Sequence, residues 1–170
     1  MRVYYDNVIV SGARALSDLV PESEMEAVYI IETAHRAGLI KRVTSQESGR
    51  EQERTRDPIK RARLAATANE LSVVATDYAA LGALVRGESM DFESTLFNEL
   101  RRFGLKDGDA CHFVNAAHSA CVCFVTLDPH FLNRRSELQS LCPELRIMKP
   151  SGLADELKRK FPDAFTLPPK

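Results

Sequence analysis

The chain has 170 residues, 44% hydrophobic and 28% charged, a balance that fits one globular domain whose core needs no disulfide or metal staple. The net charge of −1 excludes a uniformly cationic nucleic-acid carrier, and the longest apolar run, the six residues Ala120 to Val125, is far short of the roughly 20 needed to cross a bilayer. The opening Met-Arg-Val-Tyr-Tyr-Asp places a carboxylate where a signal peptide carries apolar residues, so no secretion, no membrane and a cytoplasmic location are expected. Cys111, Cys121, Cys123 and Cys142 form no Cys-x-x-Cys pair and read as plain buried thiols of a reducing compartment.

Short β-rich apolar runs alternate with longer segments of helical period, the pattern of βα units around a parallel sheet. The first strand is expected from Arg2 to Val10. A helix follows Pro21, with Met25, Val28, Ile30 or Ile31, and Ala34 on one face, and Gly38 stops it. A second strand fits Ile40 to Thr44, and a helix broken at Asp57-Pro58 fits Ser45 to Ala68. A third strand is expected over Leu71 to Ala75. Helices are expected over Tyr78 to Arg86, Phe92 to Phe103 and Asp109 to Ser119. The strongest strand signal is Val122 to Thr126, and the last is Leu145 to Met148. These elements predict one α/β domain over residues 1–160, three-layer α/β/α around a mainly parallel sheet of four or five strands. A Pro-rich, loosely ordered tail is expected over residues 161–170.

Open parallel sheets bind ligands beyond the carboxyl ends of their strands, so acids at strand ends carry the functional reading. Asp6 lies inside an otherwise apolar strand, where a carboxylate is costly unless it is paired or holds a metal. Asp128 follows the strand ending Phe124-Val125-Thr126, and Asp109 opens the Ala-rich helix Asp109-Ala-Cys-His-Phe-Val-Asn-Ala-Ala. Each also has a plain structural reading: Asp109 as a helix cap, Asp128 as the start of the turn at Asp128-Pro129.

Taken together these segments resemble the PIN-domain nucleases over residues 1–150. The opening Val3-Tyr-Tyr-Asp6-Asn-Val-Ile-Val resembles the family's acid-bearing first strand, with Asn7 standing where the family has a hydroxyl residue. Thr44-Ser45-Gln-Glu-Ser-Gly-Arg-Glu51 resembles its second motif, with Glu47 as the alternative acid on the same helix face as Glu51. Asp109-Ala-Cys-His112 and Phe124-Val-Thr126-Leu-Asp128-Pro-His-Phe131 resemble the third and fourth, 19 residues apart from Asp to Asp. The resemblance implies a metal-dependent endoribonuclease in which Asp6, Glu51, Asp109 and Asp128 hold Mg²⁺ or Mn²⁺, leaving 5′-phosphate and 3′-hydroxyl ends. It further implies supporting roles for Asn7, Thr126 and His112, the last reading equally well as a buried neutral core histidine. RNA is the expected partner; a homodimer and a partner antitoxin are family analogies.

Charge is uneven along the chain: Lys41 to Arg63 carries +4 and the remainder −5. Arg50, Arg54, Lys60 and Arg61 are therefore expected to contact substrate phosphates, a solvated helix face with Glu–Arg pairs being the structural alternative. Two other readings compete with the nuclease. One keeps the fold as a catalytically inactive RNA- or protein-binding module. The other is a phosphoacceptor signalling domain of flavodoxin-like topology, built on Asp77, Thr126 and Lys149.

Overall fold

Val3, Tyr4 and Tyr5 are fully buried, as a strand covered on both faces and both edges requires, and they make β1 (Arg2–Tyr5) the middle of the sheet. The structure, a computed structural model, describes residues 1–6, 9, 20–69, 72–74 and 92–165, without the side chains of residues 46, 51, 52, 60, 63, 64, 67–69, 72–74, 92 and 93. β2 (Lys41–Ser45) and β4 (Cys123–Val125) flank β1, with Tyr4 opposite Val43 on one side and Phe124 on the other. β3 (Ser72–Val74) pairs outside β2 and β5 (Arg146–Met148) outside β4, giving a five-stranded, all-parallel sheet of order β3-β2-β1-β4-β5.

Strand side chains alternate between faces, so the sheet builds two cores. Tyr4, Phe124 and Ile147 meet Leu96 and Leu100 of α4 (Phe92–Arg102), Phe113 of α5 (Asp107–His118) and Leu138 of α7 (Arg135–Leu141). On the opposite face Val3, Tyr5, Cys123 and Val125 meet Ile31 and Ala34 of α1 (Glu22–Arg36) and Leu153 and Leu157 of α8 (Pro150–Lys160). Helices on both faces of a parallel sheet make a three-layer α/β/α fold, the class expected from the sequence. α1 and α8 pack along one another, and Arg146 fastens the start of β5 to α8 by donating to both oxygens of Glu156 at 2.6 and 2.9 Å. That hydrogen bonding, before any other influence, holds the Glu156 carboxyl below its usual range.

Helix ends follow local chemistry. α1 stops as expected at Gly38, whose φ of +74° lets its own N–H reach His35 O and that of Leu39 reach Ala34 O. α5 ends with the same pair of bonds, but Ala120 supplies the left-handed residue at φ +52°, a conformation that costs a side-chain-bearing residue about 1 kcal/mol. The break expected at Asp57-Pro58 separates α2 (Gln46–Glu53) from α3 (Pro58–Asn69), with Asp57 Oδ1 accepting from Ile59 N–H at 2.8 Å.

Several expectations change. The first strand does not run to Val10: it ends at Tyr5, and Ile9 N–H donates to Asp6 O at 3.0 Å. A short helix α6 (Pro129–Leu132), α7 and α8 follow β4, none of them anticipated. Beyond α8, Pro162–Ala164 form a 3-10 turn that brings Phe161 and Phe165 against the α1–α8 layer. The sheet order also departs from the flavodoxin type, where β1 sits between β2 and β3; here β4 takes the place beside β1. The helix expected over Tyr78 to Arg86 and the residue Asp77 lie outside the described residues. Among the described residues no helix is long and apolar enough to cross a membrane.

Candidate functional site at the carboxyl ends of β1, β2 and β4

The strand order reverses between β1 and β4, the place where open parallel sheets bind ligands, and Asp6 and Thr126 to Asp128 leave the sheet there. Asp6 is only 6% exposed; its N–H donates to Val125 O at 3.1 Å, which holds it in line with the adjacent strand. The hydroxyl of fully buried Thr126 donates to Asp6 Oδ2 at 2.5 Å and accepts from Asp128 N–H at 2.9 Å. One threonine therefore bridges two acids that are 122 positions apart in the chain. Thr126 is itself held by its N–H, which donates to Met148 O on β5 at 3.1 Å.

Asp128 is half-buried and also fulfils its plain structural reading: Oδ1 accepts from His130 N–H at 2.8 Å and caps α6. Asp109 does not cap its helix. α5 starts two residues earlier at Asp107, which pairs with Arg101, and half-buried Asp109 is the third helical residue, in the first turn. The positive end of α5 favours a carboxylate there. The backbone at Glu51 lies in α2, while its side chain, that of Lys60, and all of Asn7 lie outside the described residues.

Behind the acids lies a polar network that the sequence did not announce. The Tyr4 hydroxyl donates to Ser45 Oγ at 2.8 Å and stands 2.7 Å from His112 Nδ1, which is 3.2 Å from the same Ser45 oxygen. Thr44 and Ser48 hydroxyls meet at 2.7 Å alongside. Burial pushes the Tyr4 phenol well above its usual range; the Ser45 hydrogen bond pulls it back part of the way and the charge of Asp6 raises it again. Tyr4 thus stays a neutral donor, and buried His112 ties α5 to the ends of β1 and β2.

Glu47, the alternative second acid, sits in the first turn of α2 directly after β2. It is 1% exposed; Oε2 accepts from Arg50 at 3.2 Å, and Oε1 has no hydrogen-bond partner among the described residues. Arg50 is thereby engaged with an acid of its own helix, while Arg54 and Arg61 are exposed. Among the described residues no three His, Cys, Asp or Glu side chains stand close enough together to hold a metal ion. The four cysteines are free thiols, and burial pushes Cys121 up to about 12 and Cys123 up to about 11, away from the thiolate that metal binding or catalysis needs. The chain matches no model of a known protein family and no curated protein.

Proposed function

We propose that this protein is a Mg²⁺- or Mn²⁺-dependent endoribonuclease whose acids gather at the carboxyl ends of β1, β2 and β4. The observation that carries the reading is the Thr126 hydroxyl bridging Asp6 and Asp128 at the point where strand order reverses. Asp6 is a buried carboxylate with one oxygen oriented by the Thr126 hydroxyl, and the acids near these strand ends offer oxygen donors. That donor set suits a hard cation: Asp6, Asp109 and Asp128 are the candidate ligands, with Glu51 or the half-satisfied Glu47 completing them. When bound, the cation would supply an activated water for in-line attack on a phosphodiester and offset charge on the leaving oxygen. The chain's own part is to hold the acids through Thr126, fix α5 through His112 and Tyr4, and present Arg54 and Arg61 to the backbone of the RNA. RNA, rather than DNA, is the substrate by resemblance to PIN-domain nucleases, as are a partner antitoxin and a homodimer.

A second reading, a non-catalytic RNA- or protein-binding module, is favoured by two observations. Asp6 Oδ2 and Asp128 Oδ1 already accept protein hydrogen bonds, and the described side chains close no three-ligand set. Incubation of the purified protein with a pool of single-stranded and structured RNAs separates the two. The nuclease is expected to cut with Mn²⁺ or Mg²⁺ and not in EDTA, leaving 5′-phosphates; a folded protein that binds the pool without cutting it with either ion is the module.

A further inference from the structure

Two stretches of chain border the acidic site: the loop from α4 into α5, which leads to Asp109, and the α6–α7 junction, which follows Asp128. α5 ends where β4 is about to begin, so its start lies at the pole where β4 ends. The two stretches meet at Gly104, five residues before Asp109, and Arg134, six residues after Asp128. Gly104 has a φ of +81°, and the Arg134 guanidinium lies over it. A Cβ at position 104 would stand 2.9 Å from Arg134 Nη1 and 3.4 Å from Nη2, so the absent side chain makes the room that the guanidinium fills. Arg134 is half-buried and pairs with no acid among the described residues. Neighbouring arginines are committed: Arg101 pairs with Asp107, Arg102 with Glu99, and Arg135 donates to Gln139. A guanidinium keeps its charge at any ordinary pH, and holding it half out of water is costly unless an anion meets its N–H fork.

We infer that Arg134 grips a phosphate of the RNA strand on the α4–α5 side of the acidic site, its fork taking two phosphate oxygens. The inference rests on the nuclease reading of that site. Lys106, exposed just before α5 and paired with no acid among the described residues, adds a weaker second contact. Residues 99–109 and 128–137 carry Arg101, Arg102, Lys106, Arg134 and Arg135 against Glu99, Asp107 and Glu137, with Asp109 and Asp128 given to the cation of the proposed centre. Five fixed cations therefore stand against three acids, with no histidine counted. A grip on the backbone positions the strand and reads no base. Arg134 takes the N-cap position of α7 without a side-chain capping bond, so replacing it leaves that helix start intact.

The experiment is fluorescence anisotropy of a labelled single-stranded oligouridine RNA across a salt series in EDTA, where nothing is cut, with wild type, Arg134→Met, Arg134→Lys and Lys41→Ala. Methionine keeps an unbranched stem over Gly104 and removes the charge, while lysine keeps the charge and removes the fork. Lys41 opens β2 at the opposite pole of the sheet and controls for net charge. Arg134→Met is expected to weaken binding about ten-fold and to lower the salt slope by about 0.7, the share of one phosphate on a single strand. Arg134→Lys is expected to keep the wild-type slope and weaken binding about three-fold, and Lys41→Ala to match wild type. Wild-type affinity and slope in Arg134→Met, even with a lowered urea midpoint, would leave Arg134 a structural contact of Gly104 and overturn the inference. Equal loss in Lys41→Ala, or no binding by wild type, would overturn it as well. Should Arg134→Met not fold, Arg134→Lys decides, since wild-type affinity there means that the fork grips nothing. Failure of the nuclease reading looks different: RNA is bound through Arg134 but is not cut when Mn²⁺ is added.

Discussion

Thr126→Val is expected to lower stability by about 2–3 kcal/mol and cleavage by about 10- to 100-fold. The substitution keeps the side-chain shape and removes only the hydroxyl. That hydroxyl satisfies Asp6 Oδ2, on a side chain 6% exposed, and the Asp128 N–H, so its loss strips a buried carboxylate of a charge-assisted hydrogen bond. Urea denaturation measures the first effect and an RNA cleavage time course the second. Wild-type stability together with wild-type cleavage would mean that the bridge neither holds Asp6 nor organises the site. Loss of stability with full activity would keep the structural role and remove the functional one.

Phe124→Ala is expected to cost about 3–5 kcal/mol, the range for deleting a large buried aromatic ring. Phe124 is fully buried at the centre of β4. Its ring lies 5.2 Å from Tyr4, nearly parallel to it, 4.7 Å from Phe131 and 5.7 Å from Phe113. Those partners come from β1, α6 and α5, so a single cavity loosens the elements that carry Asp6, Asp128 and Asp109 together. Thermal unfolding should show a midpoint lower by roughly 6–20 °C, at 2–4 °C for each kcal/mol in a chain of this size. A drop under about 1 kcal/mol would show that neighbouring side chains collapse into the space, and that this cluster does not hold the layer together.

The layered fold was legible because strands and helices here differ in period. Val3 to Tyr5 and Cys123 to Val125 are short apolar runs, and the residues that broke helices, Gly38 and Pro58, did so for conformational reasons that hold anywhere. α8 was missed although its signals are present: Pro150 in the first turn, Leu153, Ala154 and Leu157 on one face, and Lys158 to Lys160 at the end. The end of β1 at Tyr5 is hidden in the sequence because Val8, Ile9 and Val10 continue the apolar run, while the backbone bond from Ile9 N–H to Asp6 O leaves no mark on composition. In the site, Asp6, Asp109 and Asp128 could be named from their places in strand ends and a helix start. The coupling of Asp6 to Asp128 through Thr126, and the Tyr4–Ser45–His112 network whose members are 41 and 108 residues apart, depend on strand register and on the docking of α5, which sequence spacing does not encode.

The most direct test is calorimetric titration of Mn²⁺ into the folded wild-type protein and into Asp6→Asn. Asparagine retains an oxygen for the Thr126 hydroxyl and removes the charge, so the variant keeps the bridge while losing an anionic ligand. Saturable binding by wild type, weakened more than about ten-fold in Asp6→Asn, is the predicted result. A folded wild type that takes up no Mn²⁺, or an Asp6→Asn variant that binds it equally well, would contradict a metal site built on Asp6 and with it the proposed nuclease.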